Sequence, residues 1–409
     1  MAAPSRDAGG VPDTAAGPLR GLRIVDLSRV LAGPYVSRLF CDMGADVIKI
    51  EPPQGDDARR IAPAHDQYMS AHFTFGNVGK RSLALDLQKP GAAQLVLDLA
   101  RASDALVENF RPGVLERLGI GWDVLHAANP RLCLLSITGF GSESAHRDRR
   151  AYAPIMHALT GILDDQSRYS KQPVVQLNDA HADTNAGLHG AVALLAALRV
   201  VAAGGAGQHI ELPMYDATLT NYSEVGSNLL PVPDDRTMNP IYQAGRHGAI
   251  ALAGAARYVW RLLADAHEDL IDPAEPDAEI PEKARLRQAA IERWMDAHET
   301  RERLVERLEV AGLAVSPVVT LREALTGPIA QERELLVEVD DRRGGTRRLV
   351  RPAARFSAAE NRIRGSAPTL GEHGAEVLRD VLGYRAERIE DLRRAGVLLE
   401  PDPSEFGRD

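Results

Sequence analysis

Residues 22–51 read LRIVDLSRVLAGPYVSRLFCDMGADVIKIE, and their pattern decides the fold class. LRIVDLS (22–28) is a short apolar run rich in β-branched residues, and GPYVSRLFCDMGA (33–45) follows with helical spacing. DVIKIE (46–51) then returns as a strand. Strand, helix and strand in such a short stretch make a βαβ unit, and that connection requires a parallel sheet. The pattern recurs with SLALDLQ (82–88), a helix from Pro90 to about Ser103, DALVENF (104–110), short helices over 113–128 and RLCLLSI (131–137). An open, parallel-sheet, Rossmann-like α/β domain is therefore expected. The turn Ser28-Arg29-Val30-Leu31-Ala32-Gly33-Pro34 lacks the G-x-G-x-x-G of a dinucleotide site. That disfavours an NAD-dependent dehydrogenase, and leaves the carboxyl ends of the strands as the place for a ligand.

The 409 residues suffice for two or three domains. Residues 1–18 are small, polar and Pro/Gly-containing, which reads as a disordered tail rather than a signal peptide. Residues 19–223 read as the large domain, 224–330 as a smaller α/β domain with linkers, and 331–409 as a segment returning to the large one. In the smaller domain PVPDDRTMNP (231–240) is linker-like, AIALAGA (249–255) a strand, YVWRLLADA (258–266) a helix, and LAVSPVVT (313–320) a last strand. Charged helices cover roughly 285–312, and LVEVDD and LVRPAARF pair as a hairpin around Gly344-Gly345.

A net charge of −9 argues against a general nucleic-acid or anionic-membrane binder. The only cysteines, Cys41 and Cys133, sit in apolar segments and read as buried thiols. The most apolar run, Ala186 to Ala203, is interrupted by His189 and Arg199 and is too rich in small residues for a membrane span. A soluble, cytoplasmic protein is expected.

The stretch 178–208 carries the first candidate chemistry. Asp179, His181 and Asp183 lie in a loop ahead of a helix from about Thr184 to Ala203, with Leu188, Val192, Leu195 and Leu198 as its buried face. Ala186, Gly187 and Gly190 make a lane of missing side chains, which suggests room for a bulky ligand beside Asp183. Each helical glycine costs about 1 kcal/mol relative to alanine. Asp183 reads either as a helix cap or as a functional carboxylate, and the Asp179/His181/Asp183 trio has no companion ligand cluster that would make it a metal site. The second constellation is basic: Lys80-Arg81, Asn109, Arg111 and Arg117, with Arg59-Arg60 as a weaker addition. Arginine forks near a sheet's carboxyl edge suit phosphate oxygens, and solvated surface arginines are the alternative.

Taken together, RIVDLSRVLAGPYVSRLFCDMGADVIKIEPPQGDDARR (23–60), GKRSLALDLQKP (79–90), VENFRPGVLERLG (107–119), SITGFG (136–141), DTNAGLHGAVALLAALR (183–199), GQHIELPMYDA (207–217) and TLGEHGAEVLRDVLGY (369–384) resemble the family III CoA-transferases. That group includes formyl-CoA and carnitine CoA-transferases and the α-methylacyl-CoA racemases. The resemblance implies Asp183 as the catalytic aspartate, with Asp179 as fallback. It places Leu31 and Ala32 in a turn that contacts CoA, and Leu85, Asn109, Arg111, Arg117, Gly139 and Phe140 around the adenosine and phosphates. It further implies an interlocked homodimer, CoA as a substrate and no permanently bound cofactor.

Two departures narrow it. Racemase members carry Gly-His-Asp where this chain has Ala151-Tyr152-Ala153, and tyrosine is a poor base at neutral pH. A Gly-rich loop like that of formyl-CoA transferase is not evident between 220 and 260, which argues against formate or oxalate specificity. The expected reaction is CoA transfer through an aspartyl anhydride, with racemisation or CoA binding without catalysis as alternatives. The helix N-terminus beside Asp183 is expected to keep it ionised.

Overall fold

The computed structural model describes residues 17–61, 69–170, 172–222, 229, 241–342 and 344–400. The described residues of 1–164, 174–225 and 336–409 form one compact unit, and those of 165–173 and 226–335 form a second. Most of the N-terminal tail and all of the 231–240 linker lie outside the described residues.

The larger unit is built on strands β1 (Arg23–Asp26), β2 (Asp46–Glu51), β3 (Arg81–Leu85), β4 (Ala105–Glu108), β5 (Cys133–Thr138) and β6 (His209–Pro213). Its helices α1 to α9 are Ala32–Asp42, Ala71–Asn77, Ala92–Arg101, Val114–Arg117, Trp122–Ala128, Ala153–Leu159, Ile162–Ser170, His181–Ala202 and Met214–Thr220, with α7 running on into the second unit. The sheet has seven strands in the order β12-β3-β2-β1-β4-β5-β6. Six run parallel. The seventh, the two-residue β12 (Leu398–Leu399), pairs antiparallel with β3. The expected open parallel-sheet domain is present, and its antiparallel edge strand is too short to leave a readable alternation.

Both faces of the sheet are covered. Along β1, Ile24 points into one core with Phe40, Val107 and Leu135. Val25 points into the opposite core with Ile48, Leu83 and Leu106. Continuous apolar strands are what a parallel sheet packed on both sides demands.

The packing of α8 differs from expectation. Leu188, Val192 and Leu195 are exposed, while Ala182, Ala186, Gly187, Gly190, Leu194, Leu198 and Val201 face inward. A Cβ on Gly187 would lie 2.8 Å from Tyr35 and 3.1 Å from the Ala32 carbonyl oxygen; one on Gly190 would lie 3.1 Å from Leu135. The small-residue lane therefore brings α8 against α1 and the sheet, and leaves no room for a ligand. Periodicity identifies stripes, but both stripes of α8 are apolar. Although α8 is long and apolar enough to cross a membrane, half of its apolar window is buried in this unit.

A hairpin of β10 (Leu336–Asp340) and β11 (Thr346–Val350) also belongs to the larger unit, where the Arg347 guanidinium donates to Thr74 Oγ1 at 2.6 Å. In the second unit, β7 (Ile241–Gln243), β8 (Ala249–Leu252) and β9 (Val315–Pro317) form an antiparallel sheet. Its core joins Ile250, Leu252, Trp260, Leu263, Ile291 and Met295 from that sheet and from helices Ala256–Ala266 and Ile280–Asp296.

Candidate active site

β1 pairs with β2 on one side and β4 on the other, so the chain reverses direction across the sheet between β1 and β4. A crevice opens at the carboxyl ends of strands at such a point. Here it holds two clefts that share Arg29, Phe110 and Arg111. The wider is about 580 Å³ and is lined by residues at or just after the carboxyl ends of β1, β2, β3 and β4, among them Gln54, Leu85, Asp86 and Arg117. The narrower is about 170 Å³ and reaches Asn109, Gly139, Tyr152 and Asp183.

The β1–α1 turn is held from beneath. Lys49 Nζ donates to the Ser28 carbonyl at 2.9 Å and forms a buried pair with Asp56, also at 2.9 Å. Asp56 Oδ1 accepts from the Val30 N–H at 3.0 Å. Asn109 accepts from the Arg29 N–H and donates to the Arg29 carbonyl, both at 2.7 Å. Val30 sits at φ 66°, a conformation costly for a β-branched residue. These bonds over-determine the turn. A Cβ at Gly33 would lie 2.2 Å from that of Ser28, so only glycine fits beneath it.

The turn delivers the first residue of α1 to Asp183. The Asp183 carboxylate accepts the backbone N–H of Ala32, the N–H of Ala153 and its own. Ala32 begins α1, Ala153 begins α6, and Asp183 lies in the first turn of α8, so three helix N-termini meet at one carboxylate. Helix N-termini favour an anion. Burial opposes them and wins, raising the carboxyl from 3.8 to about 6. The N–H donors favour the ionised carboxylate, as expected of a helix terminus, but desolvation outweighs them, so the carboxyl ends above its ordinary value.

The other expected residues separate. Leu85, Arg111 and Arg117 line the wider cleft; Asn109, Arg111 and Gly139 line the narrower. Leu31 is buried, and it and Phe140 line neither. Ala32 contributes its amide. Gly139 lets its loop pass Ala151, where a Cβ would come within 2.5 Å. Asp179 is exposed and accepts the His181 N–H at 3.1 Å, capping the start of α8 away from the cleft. His181 bonds Asn185, and among the described residues no group of three or more metal-ligating side chains occurs.

The basic residues outside the clefts are structural. Lys80 is buried against Asp26 at 2.8 Å, and Arg81 pairs with Asp46 at 2.6 Å. Arg59 grips Glu51 at 2.7 Å over the Phe73 ring, and Arg60 bonds the Gln54 carbonyl. Both cysteines are buried, and burial pushes the Cys41 thiol up to about 12. Arg29, in the β1–α1 turn, lies outside the expected set, as do three further cleft arginines, Arg147, Arg149 and Arg150, on the loop between β5 and α6. The signal of the latter three is the run HRDRR (146–150).

An arginine-lined crevice at the carboxyl ends of a doubly wound α/β sheet, leading to a half-buried carboxylate, suits an enzyme of the class that takes phosphate-bearing substrates. The sequence profile described as CoA-transferase family III matches residues 19–374. The chain belongs to that family and is an enzyme of that class. It is 31% identical over 407 residues to a protein named succinyl-CoA–L-malate CoA-transferase beta subunit from Chloroflexus aurantiacus, covering 93% of this chain and 98% of that one. It is 29% identical to a succinate–glutarate CoA-transferase from Agrobacterium fabrum, covering 89% of this chain and 96% of that one. A CAIB/BAIF family protein from Brucella suis superposes with a TM-score of 0.76 at 28% identity, covering 90% of this chain and 100% of that one.

Proposed function

We propose that this chain moves CoA between an acyl-CoA thioester and a carboxylic acid, with Asp183 as the nucleophile. The observation that carries the reading is the Asp183 carboxylate, raised to about 6 and held by the Ala32 and Ala153 amides at the end of the arginine-lined crevice. An anion stripped of water in this way is a stronger nucleophile than a solvated one, and about nine-tenths of it is ionised at pH 7. It attacks the thioester carbonyl, the C–S bond breaks, and CoA leaves as thiolate. Thiolate then attacks the aspartyl carbonyl of the anhydride, releasing the donor acid and leaving CoA on Asp183. The acceptor carboxylate reverses the sequence. The two amides stabilise the oxyanion that forms on the aspartyl carbon when thiolate attacks the anhydride and when the acceptor carboxylate attacks the enzyme thioester. Incubation with an acyl-CoA and hydroxylamine tests this: Asp183 should become a hydroxamate, and a protein left unmodified refutes the covalent route.

Arg111 and Arg117 are assigned to the CoA phosphates, supported by their place in the wider cleft beside Asp86 and Gln88. Either arginine changed to alanine should weaken CoA by roughly 1.5–3 kcal/mol, the range for charge-assisted hydrogen bonds. A pantetheine-only analogue should bind almost as before, which calorimetry with the two ligands measures.

A cytoplasmic homodimer is the proposed assembly. Its support is the exposed stripe Leu188, Val192 and Leu195 on α8, a face too apolar for a solvated helix. Sedimentation should give a dimer at micromolar concentration, and a stable monomer there would count against it.

A further inference from the structure

The first N–H groups of α8 have no intrahelical partner, and each must be met from elsewhere. Ala180, the N-cap residue, has no side chain that could meet them. The His181 N–H goes to the Asp179 carboxylate at 3.1 Å, and the Asp183 N–H goes to its own carboxylate. The Ala182 N–H goes to a different helix. Ala182 is fully buried, and its N–H donates to Nε2 of His157, on α6 and fully buried too, at 3.1 Å. A backbone N–H can only donate, so Nε2 must present a lone pair. The single ring proton then sits on Nδ1, which faces the Gln176 side-chain amide at 3.4 Å.

α6 therefore grips the start of α8 twice, with opposite polarity. Its Ala153 N–H donates to the Asp183 carboxylate, and one turn further on His157 accepts from Ala182, the neighbour of Asp183. His157 lines neither cleft and acts only through α8. We propose that His157 is a positioning residue for CoA transfer: by accepting the Ala182 N–H it holds the first turn of α8 where the Asp183 carboxylate meets the Ala153 and Ala32 amides. This rests on Asp183 as the nucleophile and adds the residue that aims it. Burial pushes His157 below the ordinary histidine range, which favours the neutral ring that this bond needs. Of the charged groups facing it, Asp179 favours the protonated ring and His181, on α8, opposes it. α9, which also packs on α6, has Asp216 exposed and Tyr215 against the Phe140 ring.

His157→Leu keeps an apolar side chain in the ring's place but offers no acceptor. Its kcat should fall by about 10- to 100-fold, the cost of a buried N–H left unmet. KM for the acyl-CoA should stay within about twofold of wild type, because no contact to substrate is lost. Slackened amides also favour the ionised carboxylate less, so the midpoint of the acid limb of kcat/KM should rise above its wild-type value near 6. His157→Gln sets an amide oxygen at the place of Nε2 and should recover most of kcat and the wild-type midpoint. A leucine variant with wild-type kcat and midpoint in its folded fraction overturns the inference, and so does a glutamine variant no better than leucine. Where the leucine variant does not fold, the wild-type enzyme still decides. Nitrogen NMR of histidine-labelled protein, with the His157 signals assigned by their loss in His157→Gln, should show the proton on Nδ1. A proton on Nε2 at neutral pH overturns the proposal. Absence of an Asp183 adduct in the wild type overturns the CoA-transfer reading and this one with it; an adduct that wild type and His157→Leu form at equal rates overturns this inference alone.

Discussion

Asp183→Asn is expected to abolish CoA transfer, by roughly three orders of magnitude or more in kcat, while CoA affinity stays near wild type. The amide oxygen of asparagine still accepts the Ala32 and Ala153 N–H groups, so the three helix termini remain joined; the anionic nucleophile is gone. The pH profile supplies a second readout. Only the ionised carboxylate attacks, so wild-type kcat/KM should fall about tenfold per pH unit below a midpoint near 6, the value to which burial raises the group, and lie flat above it. Stability should move the opposite way. The folded pKa lies above the reference 3.8, so the fold carries no ionisation penalty below that pH and the full penalty above about 6. Asp183→Asn should therefore gain on the wild type as pH rises from 4 to 6, by on the order of 1–3 kcal/mol, and hold that gain above. Denaturant titrations at pH 4 and 7.5 measure the difference. Near-normal transfer by the variant would refute the proposed mechanism, and so would an equal effect from Asp179→Asn, whose carboxylate only caps α8.

The largest stability effect is expected at Lys80. Its ammonium is fully buried and reaches Asp26 at 2.8 Å, the Pro34 carbonyl at 3.0 Å and Asn77 Oδ1 at 2.9 Å. Asp26, at the end of β1, also accepts from the hydroxyls of Ser28 and Ser37. Burial alone would push the Asp26 carboxyl up, but the charges of Lys80 and Lys49 outweigh it and hold Asp26 well below the usual carboxylate range. Lys80→Met leaves that carboxylate buried with its nearest cation gone, and should destabilise the fold by about 3–5 kcal/mol. Asp26→Asn/Lys80→Met should recover much of the loss, because no uncompensated charge remains. A double variant as unstable as the single one would place the cost in packing instead. Since Ser37 and Pro34 lie in α1, Lys80→Met should also loosen the helix that presents Ala32 to Asp183 and lower kcat in the fraction that stays folded.

Strand and helix identity in the larger unit was legible because its signals are local. β2 falls on DVIKIE as expected, and β1, β3, β4 and β5 fall within or beside their apolar runs. β6 is not legible as a strand: HIELP is short, and two of its five residues, His209 and Glu211, are polar. The start of α8 was placed three residues late, because Ala180 caps without a side-chain bond and the chain offers Asp183 as the more familiar cap.

Charge was the least legible property. Lys80, Arg59 and Arg111 look alike in one dimension; burial and a partner separate them, and both come from residues distant in the chain, such as Asp26 with Lys80 across 54 positions. By itself the sequence determined a parallel α/β fold, CoA-transferase family III, and an aspartate at the head of an apolar helix, since periodicity, turn chemistry and motif spacing are properties of neighbours. Only the tertiary structure decided that α8 turns its glycines inward, that three helix N-termini converge on Asp183, and that burial overrides them to raise its pKa. Each of those outcomes depends on which groups exclude water from one another, and desolvation is set by packing that no local pattern records.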